Sequence, residues 1–255
     1  MPFLRVTPEK LSQSVVRQIE QLILRGILRP GERLPSERDM AEKLGVSRPS
    51  LRDAISDLAD RGLLASRAGS GVFVAEVLGS AFSPALIDLF STHEEAVFDY
   101  IAFRRDMEGM AAERAARLGS ETDLRVIDTI FRKMEAAHQK RDPTDEAQLD
   151  AEFHMAIIEA SHNVIMLHML RSMFDLLRQG VFYNRQVMFK NRMTRDQLLD
   201  QHRAMNTAVQ ARDPVAARAA VEAHLSFVEQ AFIDQTRAEK HETIARQRLE
   251  HEASR

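Results

Sequence analysis

Four side chains in the second half of the chain have the types and spacing of a metal-binding set. Asp150 and His154 are four residues apart in a predicted helix and share one of its faces, while His202 and His224 lie in two later predicted helices. A carboxylate with three imidazoles suits a first-row divalent ion, with Zn²⁺ first and Mn²⁺ or Ni²⁺ as alternatives, and leaves coordination positions open. For each histidine alone, an ordinary hydrogen-bonded role is the alternative, and the spacing does not decide between the two.

Two arginines interrupt an apolar predicted helix upstream of these residues. Arg104 and Arg105 stand in the helix predicted over residues 94–117, where a guanidinium group needs a partner. Glu108, one turn further on, would supply a salt bridge. Alternatively, one of the arginines binds an anionic effector through two parallel hydrogen bonds. The residues by themselves leave both interpretations open.

Two further arginines, near the N-terminus, are arranged as on a DNA-binding helix. In the helix predicted over residues 47–61, apolar residues at i, i+4 and i+7 form one face, and Arg48 and Arg52 lie on another. Guanidinium groups at the start of such a helix reach phosphates or the acceptor atoms of guanine in the major groove. A solvated helix face is the alternative for any single arginine.

A glycine-tipped hairpin follows that helix. Short apolar runs flank the turn Gly69-Ser70-Gly71, which predicts two antiparallel strands. The turn has no bulky side chain, so its amides can approach a sugar–phosphate strand, and Arg67 stands beside it. Arg38, on the preceding predicted helix, would contact the DNA backbone. Helix, helix, helix and hairpin in this order form a winged helix-turn-helix.

The pattern along the chain predicts a mainly α protein with two domains. A winged helix-turn-helix over residues 1–75 is followed by a linker at 76–81, an all-helical domain over 82–238, and a polar tail at 239–255 that is a fraying helix or disordered. The first domain has three predicted helices, at residues 8–25, 36–45 and 47–61. The second has seven, at residues 83–91, 94–117, 121–140, 144–161, 163–187, 191–211 and 213–240.

The charge distribution agrees with a DNA-binding N-terminal domain followed by an acidic C-terminal domain. Residues 1–75 carry 12 basic and 9 acidic side chains, whereas the remainder carries 23 and 29, which together give the net charge of −3. The absence of cysteine excludes disulfides and thiolate metal sites, and it favours a cytoplasmic location. The first residues, MPFLRVTPEK, lack the apolar core of a signal peptide, and no apolar stretch is long enough to span a membrane, so we expect no membrane partner.

The N-terminal motifs, in their order and spacing, resemble the GntR family of bacterial regulators. They are the segments at residues 34–38, 47–52, 62–63 and 69–74. The resemblance implies that the arginines at 38, 48 and 52 contact DNA and that the glycine at 71 approaches the minor groove. The interface we predict comprises Arg38, Ser47, Arg48, Ser50, Arg52, Arg67, Ser70 and Gly71.

Residues 82–235 resemble the FCD-type ligand-binding domain of the FadR branch of this family, a bundle of six or seven helices. The resemblance implies a metal ion on Asp150, His154, His202 and His224, and an effector carboxylate on Arg104, with Arg105 as second choice. Asn163 matches a family asparagine that caps a helix or faces the pocket, and the other histidines of the bundle, at 162 and 168, are interpreted as structural.

Within the family, the resemblance is to the subgroup of the pyruvate-dehydrogenase-complex repressor and the lactate and glycolate regulators. Our hypothesis is a homodimer on a near-palindromic operator, controlled by a small 2-hydroxy or 2-oxo carboxylate; repression relieved by the effector is the commoner outcome in the family, and the sequence itself does not give the sign. The Asp-x-x-x-His pair is a departure from the pyruvate-responsive repressor and speaks against pyruvate itself. Two alternatives are a metal-dependent hydrolase or oxidase acting on a small carboxylate, and a DNA-binding dimer without an effector. We expect a regulator and not an enzyme.

Overall fold

The computed structural model describes residues 10–67, 69–75, 83–140, 142–178 and 192–253. The chain divides into two compact units, Met1–Ala81 and Phe82–Arg255. The linker predicted at 76–81 lies outside the described residues, as does the end of the helix predicted over 163–187. Among the described residues, no helix combines the length and the apolar character that crossing a lipid bilayer requires.

The first unit is a three-helix winged helix-turn-helix, as predicted. Its elements are α1 (Leu11–Leu24), α2 (Glu37–Leu44), α3 (Arg48–Asp60), β1 (Leu64–Arg67) and β2 (Gly71–Val74). Ser36 accepts a hydrogen bond from the Asp39 amide and begins α2, which ends at Gly45 with a left-handed φ of 65°. Ser47 caps α3 in the same way, by accepting from the amide of Ser50.

An apolar core holds the hairpin against these helices. Leu51 and Leu58, on the inner face of α3, are fully buried together with Leu64 of β1 and Val74 of β2. The two strands pair antiparallel, with Leu64 opposite Val74 and Arg67 opposite Gly71. A single antiparallel bridge between Arg33 and Phe73 extends the hairpin on its other side. The wing is therefore fixed to the helix that carries Arg48 and Arg52.

The second unit is an all-helical bundle, as predicted. Its described helices are α4 (Pro84–Thr92), α5 (Glu94–Leu118), α6 (Glu121–His138), α7 (Thr144–Ala160), α8 (Val164–Arg178), α9 (Arg192–Gln210) and α10 (Pro214–Ala253). Ser120 and Asp123 form a reciprocal capping box at the start of α6. The last helix continues to Ala253 with exposed side chains, so the polar segment from 239 is helical as far as that residue.

Helix α5 is the centre of the bundle. It packs against α10 along much of its length and also contacts α4, α7, α8 and α9. Four alanines of α5 have no exposed surface, and such small side chains let neighbouring helices approach closely. They are Ala111, Ala112, Ala115 and Ala116. This packing places α7, α9 and α10 around the middle of α5, where Arg104 and Glu108 lie.

A buried cluster of charged groups fixes one end of the bundle. Glu146, near the start of α7, accepts a hydrogen bond from Arg195 Nε at 2.7 Å and contacts His138 Nδ1 at 2.7 Å. Arg195 also donates to the backbone carbonyls of His138 and Lys140, and Asp196 contacts the other nitrogen of His138. The cluster joins the end of α6 to the first turns of α7 and α9, the helices that carry Asp150 and His202.

Candidate metal centre and nucleic-acid interface

The structure brings the four predicted metal ligands together. Asp150 and His154 face inward from α7, His202 from α9 and His224 from α10, and none is more than 2 % exposed. One donor atom from each residue can be chosen so that all four lie within 4.8 Å of one another. A buried carboxylate with three imidazoles is a donor set that fits a first-row divalent ion.

The atoms at the centre of this quartet are in close contact. Nε2 of His202 lies 2.9 Å from Oδ1 of Asp150 and 3.3 Å from Nε2 of His154. The rings of His202 and His224 have centroids 4.6 Å apart, and those of His154 and His224 are 5.1 Å apart. Metal binding requires neutral imidazoles with a lone pair directed at the ion, so loading this site would release any proton on Nε2 of His202.

Two neighbouring side chains orient the histidines. Nδ1 of His154 lies 2.6 Å from Oε2 of Glu108, and Nδ1 of His224 lies 2.9 Å from Oε1 of Gln201. Both oxygens are acceptors, so in each ring Nδ1 carries the proton and Nε2 keeps its lone pair for the centre of the quartet. Such partners fix both the ring orientation and the tautomer of a metal-binding histidine.

Glu108 also binds Arg104, which joins the predicted effector arginine to the quartet. Nε of Arg104 donates to Oε1 of Glu108 at 2.5 Å, and both side chains are buried. The guanidinium carbon lies 4.6 Å from the ring centre of Phe174, whose ring also faces His154. Burial would raise the pKa of the Glu108 carboxyl, but the charge of Arg104 and the hydrogen bonds from Arg104 and His154 outweigh it and hold the pKa below its ordinary value.

The other two predicted effector residues have different surroundings. Arg105 pairs with Glu229 of α10 at 3.1 Å and is about one-third exposed. Asn163 accepts a hydrogen bond from the Met166 amide at 3.1 Å, which is the capping role expected for it at the start of α8. Of the three residues, Arg104 is the one that the structure connects to the quartet.

In the first unit, the predicted arginines lie open to solvent at the start of α3. The side chains of Arg48 and Arg52 are 59 % and 64 % exposed, and Arg38 on α2 is 82 % exposed. Nε of Arg52 donates to Oε2 of Glu37 at 2.8 Å, and Nη2 of Arg48 lies 3.8 Å from the same oxygen. Ser47 and Ser50 are bonded to each other and shape the first turn of α3.

The wing tip is exposed, and two further guanidinium groups lie against the hairpin. Gly69, Ser70 and Gly71 form the turn, and Gly71 has a φ of 104°, which side-chain-bearing residues rarely adopt. The guanidinium of Arg67 lies 4.4 Å from the ring centre of Phe73. Arg33 lies across the tip, because a Cβ built on Gly71 would meet its Nε at 3.2 Å.

Comparisons with known proteins match both units. Residues 11–74 match the family described as bacterial regulatory proteins, gntR family, and residues 99–227 match the FCD domain. This chain belongs to the GntR family, in its FCD-containing branch. It is therefore a DNA-binding transcription regulator, and the resemblance drawn from its motifs is confirmed.

Two relatives of this regulator are similar over nearly their whole lengths. The chain is 35% identical over 227 residues to the Glc operon transcriptional activator of Escherichia coli K12. This alignment covers 88% of this chain and 89% of the relative. The chain is also 36% identical to the putative L-lactate dehydrogenase operon regulatory protein of the same organism, in an alignment that covers 88% of this chain and 86% of that relative. A Streptococcus agalactiae GntR structure matches with a TM-score of 0.52 and 25% identity, covering 86% of this chain and 99% of that one.

Sequence analysis of the regulator did not identify three residues at these sites. The sequence pattern indicates Glu108 only as a salt-bridge partner of Arg104, although its other oxygen contacts His154. Gln201 precedes His202 directly and yet serves His224 on another helix, a contact that no spacing indicates. Arg33 lies far from the wing in sequence, and only the bridge between Arg33 and Phe73 brings it to the tip.

Alanine at the two wing glycines is expected to have unequal effects. At Gly69, with a φ of 71° and open space around it, alanine costs only the backbone strain of about 1–2 kcal/mol. At Gly71, where φ is 104°, alanine adds a tight contact to the backbone strain, because its Cβ would lie 3.2 Å from Nε of Arg33 and that side chain would have to shift. We expect Gly71→Ala to speed amide hydrogen exchange of Val74, whose amide donates to the Glu32 carbonyl, more than Gly69→Ala does. Adding Arg33→Ala to the Gly71 variant relieves the contact and should reduce the difference, and equal exchange in both glycine variants would contradict this account.

Proposed function

We propose that this regulator senses a small monocarboxylate at a metal centre in its helical unit and transmits the signal to its DNA-binding unit. The observation that carries the proposal is the buried quartet of Asp150, His154, His202 and His224, to which Arg104 is connected through Glu108. A bound divalent cation would supply a Lewis-acid centre that attracts an anionic oxygen ligand.

The protein's own side chains would give the site its selectivity. Arg104 would bind the effector carboxylate through parallel charge-assisted hydrogen bonds, and its guanidinium is already positioned by Glu108 and by the ring of Phe174. The burial of Arg104 and the ligands keeps the electrostatic attraction in a low-dielectric environment, where it is stronger than in water.

The buried charges favour an effector with one negative charge. A divalent cation and Arg104 would bring three positive charges, and Asp150 and Glu108 supply two negative ones. One monocarboxylate neutralises the single positive charge that remains, whereas a dicarboxylate leaves one buried negative charge uncompensated. A 2-hydroxy or 2-oxo group offers a second oxygen ligand. The name of one relative, a regulator of an L-lactate dehydrogenase operon, supports this class.

For the DNA-binding unit, we propose that α3 enters the major groove and the wing lies along the neighbouring strand. Arg48 and Arg52 would contact bases or phosphates, with the phosphate oxygens replacing Glu37 as partners. The remaining contacts are assigned to Arg38, Ser47, Ser50, Arg67, Ser70 and Gly71. A homodimer would place one such unit on each half of a near-palindromic operator.

The effector acts only to the extent that it prefers one arrangement of the protein over another. Release from repression is the expectation that the family resemblance gives. One relative is named an activator, so we propose regulation by the carboxylate and assign no sign to it.

The metal-binding proposal predicts a clear difference between two histidine variants. His202→Ala removes a buried ligand, and we expect the purified protein to lose its bound metal and its melting response to L-lactate, glycolate and pyruvate. His162→Ala, which removes an exposed partner of Asp123, should keep both. At a carboxylate concentration 100 times Kd, stabilisation of about 2.7 kcal/mol is expected, and succinate should stabilise less. An unchanged metal content in His202→Ala, measured by mass spectrometry, would remove that residue from the site.

The DNA-binding proposal predicts that Arg52→Ala weakens operator binding by roughly 5- to 150-fold, the loss of about 1–3 kcal/mol that one specific arginine contact contributes. The probe is a duplex selected from random sequences by the wild-type protein, and the measurement is a gel-shift titration at fixed salt. Arg132→Ala, which removes an exposed arginine of α6 that pairs with Asp128, is the matched control and should bind as wild type. Wild-type affinity in Arg52→Ala would refute its place on the interface.

A further inference from the structure

We propose that Glu108 is a positioning residue shared by the metal centre and the anion site, setting the metal ligand His154 and the anion-binding Arg104 at the same time. This inference rests on the function proposed above. It assigns a role to a side chain that would bind neither the metal nor the carboxylate, and it makes the two sites parts of one hydrogen-bonded unit.

The two oxygens of Glu108 are used for different partners. Oε2 lies 2.6 Å from Nδ1 of His154, and Oε1 accepts from Nε of Arg104 at 2.5 Å. Nη2 of Arg104 makes a longer contact of 3.4 Å with Oε2. The carboxylate is 2 % exposed, so water does not compete for either oxygen.

Each contact fixes something that a ligand needs. At His154, the acceptor on Nδ1 selects the tautomer whose Nε2 keeps its lone pair and faces Nε2 of His202. At Arg104, the carboxylate binds the Nε side of the guanidinium and so sets the orientation in which it would meet the effector carboxylate. One rotation of the Glu108 side chain would disturb both arrangements.

Gln201 provides the matched comparison, because it performs only the first of these tasks. Its Oε1 accepts from Nδ1 of His224 at 2.9 Å, and no contact with Arg104 is seen among the described residues. A variant of Gln201 therefore shows the effect of losing the hydrogen-bond partner of a metal-binding histidine while the contact between Glu108 and Arg104 stays intact.

The test uses the full-length protein, Zn²⁺ and two carboxylates. Zn²⁺ affinity is measured by competition with a chromophoric chelator, and the carboxylate response is the melting shift that L-lactate or glycolate gives at saturating Zn²⁺. We expect Glu108→Gln to lower Zn²⁺ affinity about 10- to 100-fold, the usual effect of losing such a partner, and to reduce the carboxylate shift by about half or more. Gln201→Leu should lower Zn²⁺ affinity similarly but keep the carboxylate shift.

The inference is overturned if Glu108→Gln retains both properties, or if it loses only Zn²⁺ affinity as Gln201→Leu does. Wild-type protein that binds neither Zn²⁺ nor either carboxylate would instead contradict the proposed function itself.

Glu108→Gln leaves the buried Arg104 charge uncompensated, and this variant can fail to fold for that reason alone. A second comparison therefore starts from a variant in which the arginine charge has been removed. Arg104→Gln alone should abolish the carboxylate shift and keep Zn²⁺ affinity within a few-fold of wild type, because Glu108 still binds His154. Adding Glu108→Gln to that variant should lower Zn²⁺ affinity by about 10- to 100-fold. Equal affinities in the single and double variants would refute the role of Glu108.

Discussion

Charge compensation inside the helical unit is the constraint on which the site depends. Asp150, Glu108 and Arg104 are buried together with three histidines, and isolated charges in such an interior are strongly unfavourable. The Arg104–Glu108 pair balances itself, whereas the Asp150 carboxylate lies among imidazoles that are neutral when they act as ligands. A divalent cation satisfies that carboxylate and introduces an excess of positive charge, which a monoanionic effector then removes. Metal, arginine and effector are thus linked by a single electrostatic requirement.

The fold meets this requirement by fixing helices rather than loops. The alanines of α5 allow close packing around its middle, and the cluster of His138, Glu146 and Arg195 holds the first turns of α7 and α9. Asp150 lies one turn after Glu146, and His202 lies two turns after Arg195, so both ligands follow anchored segments. Rigid elements of this kind keep four donors within a few ångströms of one another. A small change in the position of one helix would therefore alter the distances between its donor and the other donors of the quartet.

Local patterns in the sequence were sufficient for the fold, whereas the full set of four candidate ligands also needed the family resemblance, because spacing joins only Asp150 to His154 and does not reach His202 or His224. Helical periodicity and capping residues define the elements, and the i, i+4 spacing of Asp150 and His154 places them on one face. The contacts between Gln201 and His224, and between Arg33 and Gly71, were not predictable in this way. They depend on how each helix or strand is rotated against its neighbour, which spacing does not encode. For the same reason, sequence spacing left Arg105 as an alternative to Arg104, and only the packing separated the two.

The most direct test of this account is a calorimetric titration of L-lactate or glycolate into the wild-type protein, first without metal and then loaded with Zn²⁺. If charge compensation links the two ligands, binding will be strong only in the loaded protein, with one carboxylate per chain. Equal affinity for the carboxylate in the metal-free and the loaded protein would contradict the central claim, because the effector would then be recognised without the cation.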